Sequence, residues 1–111
     1  MSEREWGFYL NDMITFCEKV LLYTAGLDLQ GFEADEKAYD ATLRKLELIG
    51  EAATHIPETV RERFSTIPWR QVVATRNQLI HGYLGIDNDI LWSIIQNDIP
   101  LLLNELKKTL R

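Results

Sequence analysis

The stretch Trp69-Arg70-Gln71-Val72-Val73-Ala74-Thr75-Arg76-Asn77-Gln78-Leu79-Ile80-His81-Gly82-Tyr83 decides how this chain is read. Trp69, Val72, Val73, Arg76 and Ile80 recur at intervals of three and four, so they share one face of a helix. That face is apolar except for Arg76, and an arginine is almost never fully buried unless it is paired. Glu47 or Glu51, upstream, could be the partner. His81 follows five residues after Arg76, and Gly82 is suited to end the helix. Ser65 and Thr66 offer a hydroxyl cap and Pro68 sits just inside the start, so the spacing predicts a helix over 69–81.

Outward from this segment the chain reads as helix throughout. From Trp6 to Thr24, the positions Trp6, Tyr9, Leu10, Met13, Cys17, Val20 and Leu21 form one stripe at helical spacing. Phe8, Ile14, Phe16 and Leu22 widen it beyond what a surface helix needs, so this helix must bury most of its sides. A second subunit would cover them, which predicts a homodimer. Gly26 breaks the helix and Gly31 falls in a loop. A second helix is expected to start after Ala34 or Asp35 and run to about His55, with Tyr39, Leu43, Leu46, Ile49, Ala53 and Ile56 on its inner side. Pro57 ends it and can open a short turn, Glu58 to Phe64. After Gly82, Gly85 and Asp87-Asn88-Asp89 form a loop in which Asp87 or Asn88 can cap a last helix. Pro100 inside that helix predicts a kink or brief interruption. No β-alternation, repeat or linker is present, and the expected fold is an all-α, antiparallel up-and-down bundle.

Composition narrows the setting. At 111 residues the chain is expected to form one domain, residues 1–111, able to bury a core without disulfides or a structural metal. The lone Cys17 cannot form an internal disulfide, and no secretory pattern opens the sequence, so a reducing cytoplasm is expected. The longest apolar runs are far too short to span a bilayer, and no membrane partner is expected. The formal net charge is −5, which argues against coating nucleic acid through a broad basic surface. A grip on one or two phosphates by local arginines is still compatible with that charge, and Arg70, Arg44 and Lys45 are candidates for making a cleft locally basic.

The residue types around Arg76 suit phosphodiester chemistry. RNA cleavage by internal transfer needs a base for the 2′-hydroxyl proton, an acid for the leaving oxygen, and donors for the charge building on phosphorus. Histidine titrates near neutrality and can fill either proton role. Arginine stays charged and offers a planar fork that matches phosphate oxygens. Asn77 and His81, four residues apart, lie on nearly the same helix face. Arg76 lies about 140° around the helix from His81. Arginine's long side chain, a helix ending at Gly82, or a copy of the motif from a second subunit could close that gap. No metal set is evident and no cofactor is expected. Read alone, Arg76 could equally be an ion-paired structural residue, and His81 could merely meet the last carbonyls of its helix.

A longer pattern surrounds the motif. Ile67-Pro68-Trp69-Arg70, then Arg76-Asn77-x-Leu79-Ile80-His81-Gly82-Tyr83-x-Gly85-Ile86-Asp87, then Ile90-Leu91-Trp92 closely resembles HepT-like proteins of the HEPN superfamily. Leu43-x-x-Leu46-Glu47-x-Ile49-Gly50-Glu51-Ala52-Ala53 looks like that family's second helix, and Asp98-Ile99-Pro100 like part of its last. The resemblance implies a HEPN-like homodimer with motif helices facing across a cleft. It also implies a metal-independent endoribonuclease toxin of a toxin–antitoxin module. Arg76, His81 and Asn77 match the family's Arg-x4–6-His motif and the polar residue after its arginine. Tyr83 matches the tyrosine onto which an MntA-type minimal nucleotidyltransferase antitoxin transfers AMP units, silencing the nuclease. The alternative is a non-catalytic nucleotide- or partner-binding subunit of a nucleotidyltransferase complex.

Several other residues have simpler readings. His55, at a helix end, has no obvious acidic or cysteine partner at ligand spacing and reads as structural. Cys17 reads as a small buried hydrophobe. Trp69 and Trp92 read as core or interface. Glu51 is expected on the helix near the motif, where it could pair with Arg76, hold the histidine or simply stay solvated.

Overall fold

Ser2 starts the first helix: its hydroxyl oxygen accepts the Glu5 amide N–H at 3.2 Å and donates to the Glu5 carboxylate at 3.2 Å, a variant of the capping box. The helix α1 therefore spans Glu3–Thr24, beginning before the apolar stripe does, because a polar cap leaves no mark on hydrophobic periodicity. The computed structural model describes residues 1–82 and 85–110. Within them follow α2 (Leu29–Ala34), α3 (Glu36–Thr54), α4 (Glu58–Arg63), α5 (Trp69–His81), α6 (Asn88–Ser93) and α7 (Ile99–Lys107). A π-helical turn, Ile94–Asp98, joins α6 to α7. The described residues contain no strand.

Three local expectations are corrected. Gly31 is not in a loop. It lies in α2, because the Asp28 carboxylate accepts the Gly31 amide N–H at 2.7 Å and starts a short helix there. That helix drives Phe32 fully into the core, where its ring meets Tyr39 and Trp92 at centroid distances of 5.0 and 5.1 Å. The hydroxyls of Ser65 and Thr66 do not cap α5. Pro68 occupies the cap position, with no side-chain cap bond, while the Thr66 hydroxyl donates to the Glu105 carboxylate at 2.8 Å. Ile80, expected on the inner face of α5, is 37% exposed, and Leu79 is buried instead.

Other boundaries hold. The Asp35 carboxylate caps α3 through the Ala38 amide at 3.0 Å. Asp87 caps α6 through the amides of Asp89 and Ile90. The interruption expected from Pro100 is the π-turn. Proline lacks an N–H and its ring clashes with the carbonyl one turn back, and a widened turn just upstream relieves both.

The core is built on α1 and α3, with α5 laid on α3 and α7 on α1. Tyr9 meets His55, and Lys45 lies over the Phe16 ring. An early residue of α1 thus meets the end of α3 and a later one meets its middle, so the two helices run antiparallel. Met13, Cys17, Val20, Phe32, Ala53, Ile95 and Leu106 are completely buried at the centre. Of the residues that widen the α1 stripe, Ile14 is buried and Phe16 half-buried, while Phe8 and Leu22 are 57% and 70% exposed. Trp69 is buried and Trp92 partly so, both against the core. No described helix is long and apolar enough to cross a membrane.

Gly50 sets the spacing between α3 and α5. A β-carbon there would overlap that of Arg76, and would sit 2.8 Å from the Arg76 Cγ and 3.2 Å from the Val72 carbonyl oxygen. These atoms belong to backbone or to the root of a side chain, so they cannot swing aside. Gly50→Ala is expected to destabilise the protein by about 1–3 kcal/mol through overpacking, measured by urea unfolding. Burial pushes the Cys17 thiol up to about 12 from 9.0, with Glu18 adding to the rise. Because the folded value is raised, this contribution to stability is full below pH 9.0 and lost as pH climbs towards 12. Iodoacetamide at pH 8 should therefore label Cys17 only after denaturation, as read by intact mass.

Candidate functional site

The bundle gives each functional side chain of α5 a different environment. Arg76 roots against Gly50 on the face that packs on α3. Its side chain is 28% exposed, and the guanidinium donates through Nη2 to the Glu51 carboxylate at 2.7 Å and through Nη1 to the Asn77 side-chain oxygen at 2.9 Å. Its Nε is buried and has no hydrogen-bond partner among the described residues. Of the two glutamates that could pair with it, Glu51 does so, while Glu47 accepts from Arg44 at 3.3 Å.

Asn77 and His81 lie on the outward side of α5 and both are exposed. Asn77 reaches back to Arg76 from its own position and so fixes one edge of the fork. His81 occupies the last turn of α5. Gly82 follows, with φ of −118° rather than a left-handed value. Its role is close approach: its N–H donates to the Gln78 carbonyl at 2.7 Å, and a β-carbon would lie 2.8 Å from that oxygen. A glycine at this position still ends the helix, for a reason different from the usual one.

Of the three basic candidates, only Arg70 shares the neighbourhood of the motif. It lines an open groove between α4 and α5 together with Asn77, Val73 and Trp69. Arg44 is engaged by Glu47, and Lys45 sits 5.5 Å over the Phe16 ring. Acidic Glu58 and Glu62 line the same groove as Arg70. The sequence-singled Tyr83 lies outside the described residues. No group of three or more His, Cys, Asp or Glu side chains among the described residues is arranged to hold a metal.

Two features were missed by sequence reasoning. His55 does have an acidic neighbour: its Nε2 lies 3.5 Å from the second carboxylate oxygen of Glu51. The four-residue spacing of Glu51 and His55 along α3 was a legible signal for that pair. The stacking of His55 on Tyr9, with centroids 4.6 Å apart and planes 10° from parallel, was not legible. Arg61 is the second omission. It donates to the Ile56 and Ala53 carbonyls at 3.1 and 2.8 Å and lies over Trp69, closing the end of α3 and tying α4 to α5.

Residues 13–109 match a family model described as "Ribonuclease HepT-like". The chain is 36% identical over 107 residues to "Putative RNase MJ1380" of Methanocaldococcus jannaschii, covering 96% of this chain and 98% of that protein. It is 36% identical over 100 residues to "Probable ribonuclease HepT" of Thermococcus cleftensis, covering 90% and 91%. A third relative, "Putative RNase TTE0752" of Caldanaerobacter subterraneus, is 34% identical over 103 residues, covering 93% and 92%. No solved structure matches the chain significantly. The Glu51 carboxylate that joins Arg76 to His55 is half-exposed, at 46%, and pairs so placed contribute about 0–1 kcal/mol. Glu51→Gln should therefore cost less than ~1 kcal/mol in urea unfolding, a result that separates this pair from a stability device.

Proposed function

Because the chain belongs to the HepT-like ribonuclease family, we propose that α5 carries the cleavage site of an endoribonuclease that works without a metal. The observation that carries this reading is the placement of Arg76, whose guanidinium is fixed by Glu51 and Asn77 on the helix that also presents His81. Arg76 would take the phosphate oxygens and stabilise the charge that builds on them. His81 would move protons. In internal transfer the 2′-hydroxyl loses a proton, its oxygen bonds to phosphorus, and the bond to the 5′ oxygen breaks as that oxygen gains a proton. Asn77 would keep the arginine fork and the phosphate in register.

A single chain leaves this set split. Arg76 packs towards α3, whereas His81 lies about 140° around the helix and is exposed. The outward face of α5, with Arg70, Ala74, Asn77 and Ile80 also exposed, is bordered by α4 across an open groove but not covered by any described element. A homodimer that sets two such faces across a cleft would bring His81 of each protomer towards the Arg76 of the other. The exposed Phe8 and Leu22 of α1 offer further apolar surface for the association. In this reading the chain is a single-domain cytoplasmic toxin, consistent with its one free, buried cysteine.

Tyr83 would be the control point. An MntA-type nucleotidyltransferase antitoxin would transfer AMP from ATP to its hydroxyl, releasing pyrophosphate. Each added nucleotide brings a phosphate charge and a bulky base beside the cleft, repelling RNA and filling its place. The test begins with unmodified protein, confirmed by intact mass, assayed on single-stranded RNA. Arg76→Ala and His81→Ala are each expected to lower cleavage by about 10²-fold or more while the protein stays folded. Incubation with an MntA-type enzyme and ATP should add AMP-sized mass steps that Tyr83→Phe abolishes. Absence of cleavage with AMP addition intact would instead establish the non-catalytic partner subunit.

A further inference from the structure

His55 is 26 residues from His81 in sequence, yet it is tied to the same arginine through one carboxylate. One oxygen of Glu51 accepts from Arg76 Nη2 at 2.7 Å, and the other lies 3.5 Å from His55 Nε2. The first distance is a full charge-assisted hydrogen bond and the second is too long for one. The carboxylate thus rests on the arginine with the imidazole beside it as a second, unfilled donor. A movement of about 0.3 Å would bring His55 into hydrogen-bond range. The stack on Tyr9 holds the ring for that role, at 4.6 Å and 10° from parallel. The Glu51 side chain is half-exposed and free of any other side-chain partner among the described residues.

An RNA phosphate approaching Arg76 meets a guanidinium already partly neutralised by Glu51. To offer its full fork to the phosphate, the arginine must give up that carboxylate, and a carboxylate left close to a phosphate would repel it. We propose that His55 is a positioning residue of this site, which receives the Glu51 carboxylate as RNA phosphate takes its place on Arg76. This rests on the reading of Arg76 as the phosphate-binding group. No proton need be transferred: a neutral imidazole with its hydrogen on Nε2 donates to the carboxylate, and the carboxylate exchanges one donor for another. Tyr9 acts only by fixing the ring.

The hand-off separates His55 from a purely structural histidine through its dependence on Glu51. His55→Phe keeps a ring to stack on Tyr9 but has no donor, while His55→Gln keeps a donor without the aromatic ring. Each is measured with and without Glu51→Gln. The readouts are steady-state cleavage of single-stranded RNA and anisotropy binding of a uniformly 2′-O-methylated oligoribonucleotide, which cannot be cleaved by internal transfer. His55→Phe should raise KM and weaken binding roughly twofold to fivefold, the scale of a half-exposed ion pair, with kcat within about twofold of the original. His55→Gln should recover most of the lost affinity. Glu51→Gln should bind more tightly than the unaltered protein, and in that background His55→Phe should have no further effect. Loss of affinity in His55→Phe that persists undiminished beside Glu51→Gln would overturn the proposal, as would no loss at all. If Arg76→Ala neither weakens binding nor lowers cleavage, the phosphate reading of Arg76 itself falls, and the hand-off falls with it.

Discussion

Where α3 crosses α5, a residue without a side chain lies against the root of an arginine. The Gly50–Arg76 contact is the constraint on which the rest of the molecule depends. It lets two helices approach closely enough to bring Val72 against α3, and it sets the guanidinium beside α3, where it meets Glu51. Glu51 follows Gly50 directly in sequence, so the residue that permits the approach and the residue that receives the charge sit side by side on one helix. The geometry of the site is therefore a result of helix packing before it is a result of any hydrogen bond.

Much of this was legible in the residues alone. The apolar spacing from Trp69 onward located α5 to its observed ends, and Asp35 and Asp87 announced their helices because a capping side chain acts within its own turn. The all-helical class followed from the same periodicity. What escaped sequence reading was non-local or masked by stronger signals. Asp28 begins a helix too short to show a period, so Gly31 looked like a loop residue. Thr66 stood at a helix start, yet its hydroxyl bonds Glu105 near the other end of the chain. Ile80 and Leu79 were adjacent apolar residues, and only the crossing angle with α3 decides which turns inward.

The site itself was partly legible. Arg76, Asn77 and His81 stand out by type and spacing, and Glu51 was one of two plausible partners. Choosing between Glu51 and Glu47 required knowing where α5 crosses, since both lie on α3 and differ by one turn. His55 was set aside because its ties run across helices: Tyr9 reaches it from α1 and Glu51 joins it to α5. The acidity of the chain, −5 overall, also reads differently once placed. Glu51 and Glu47 each sit against an arginine, so their charges are balanced locally, while Arg44 is taken up by that pairing and offers little free positive charge.

The two faces of α5 answer to different pressures. The inner face is fastened by Gly50, and a change there is paid in folding. The outer face, with Arg70, Ala74, Asn77 and His81, touches little of its own chain. Descendants of such a protein are free to redraw the outer face, altering which molecules it meets, while position 50 must stay without a side chain for the two helices to approach. Persistence of Gly50 through evolutionary drift would by itself say nothing about chemistry. Persistence of His81, which the fold does not require, would.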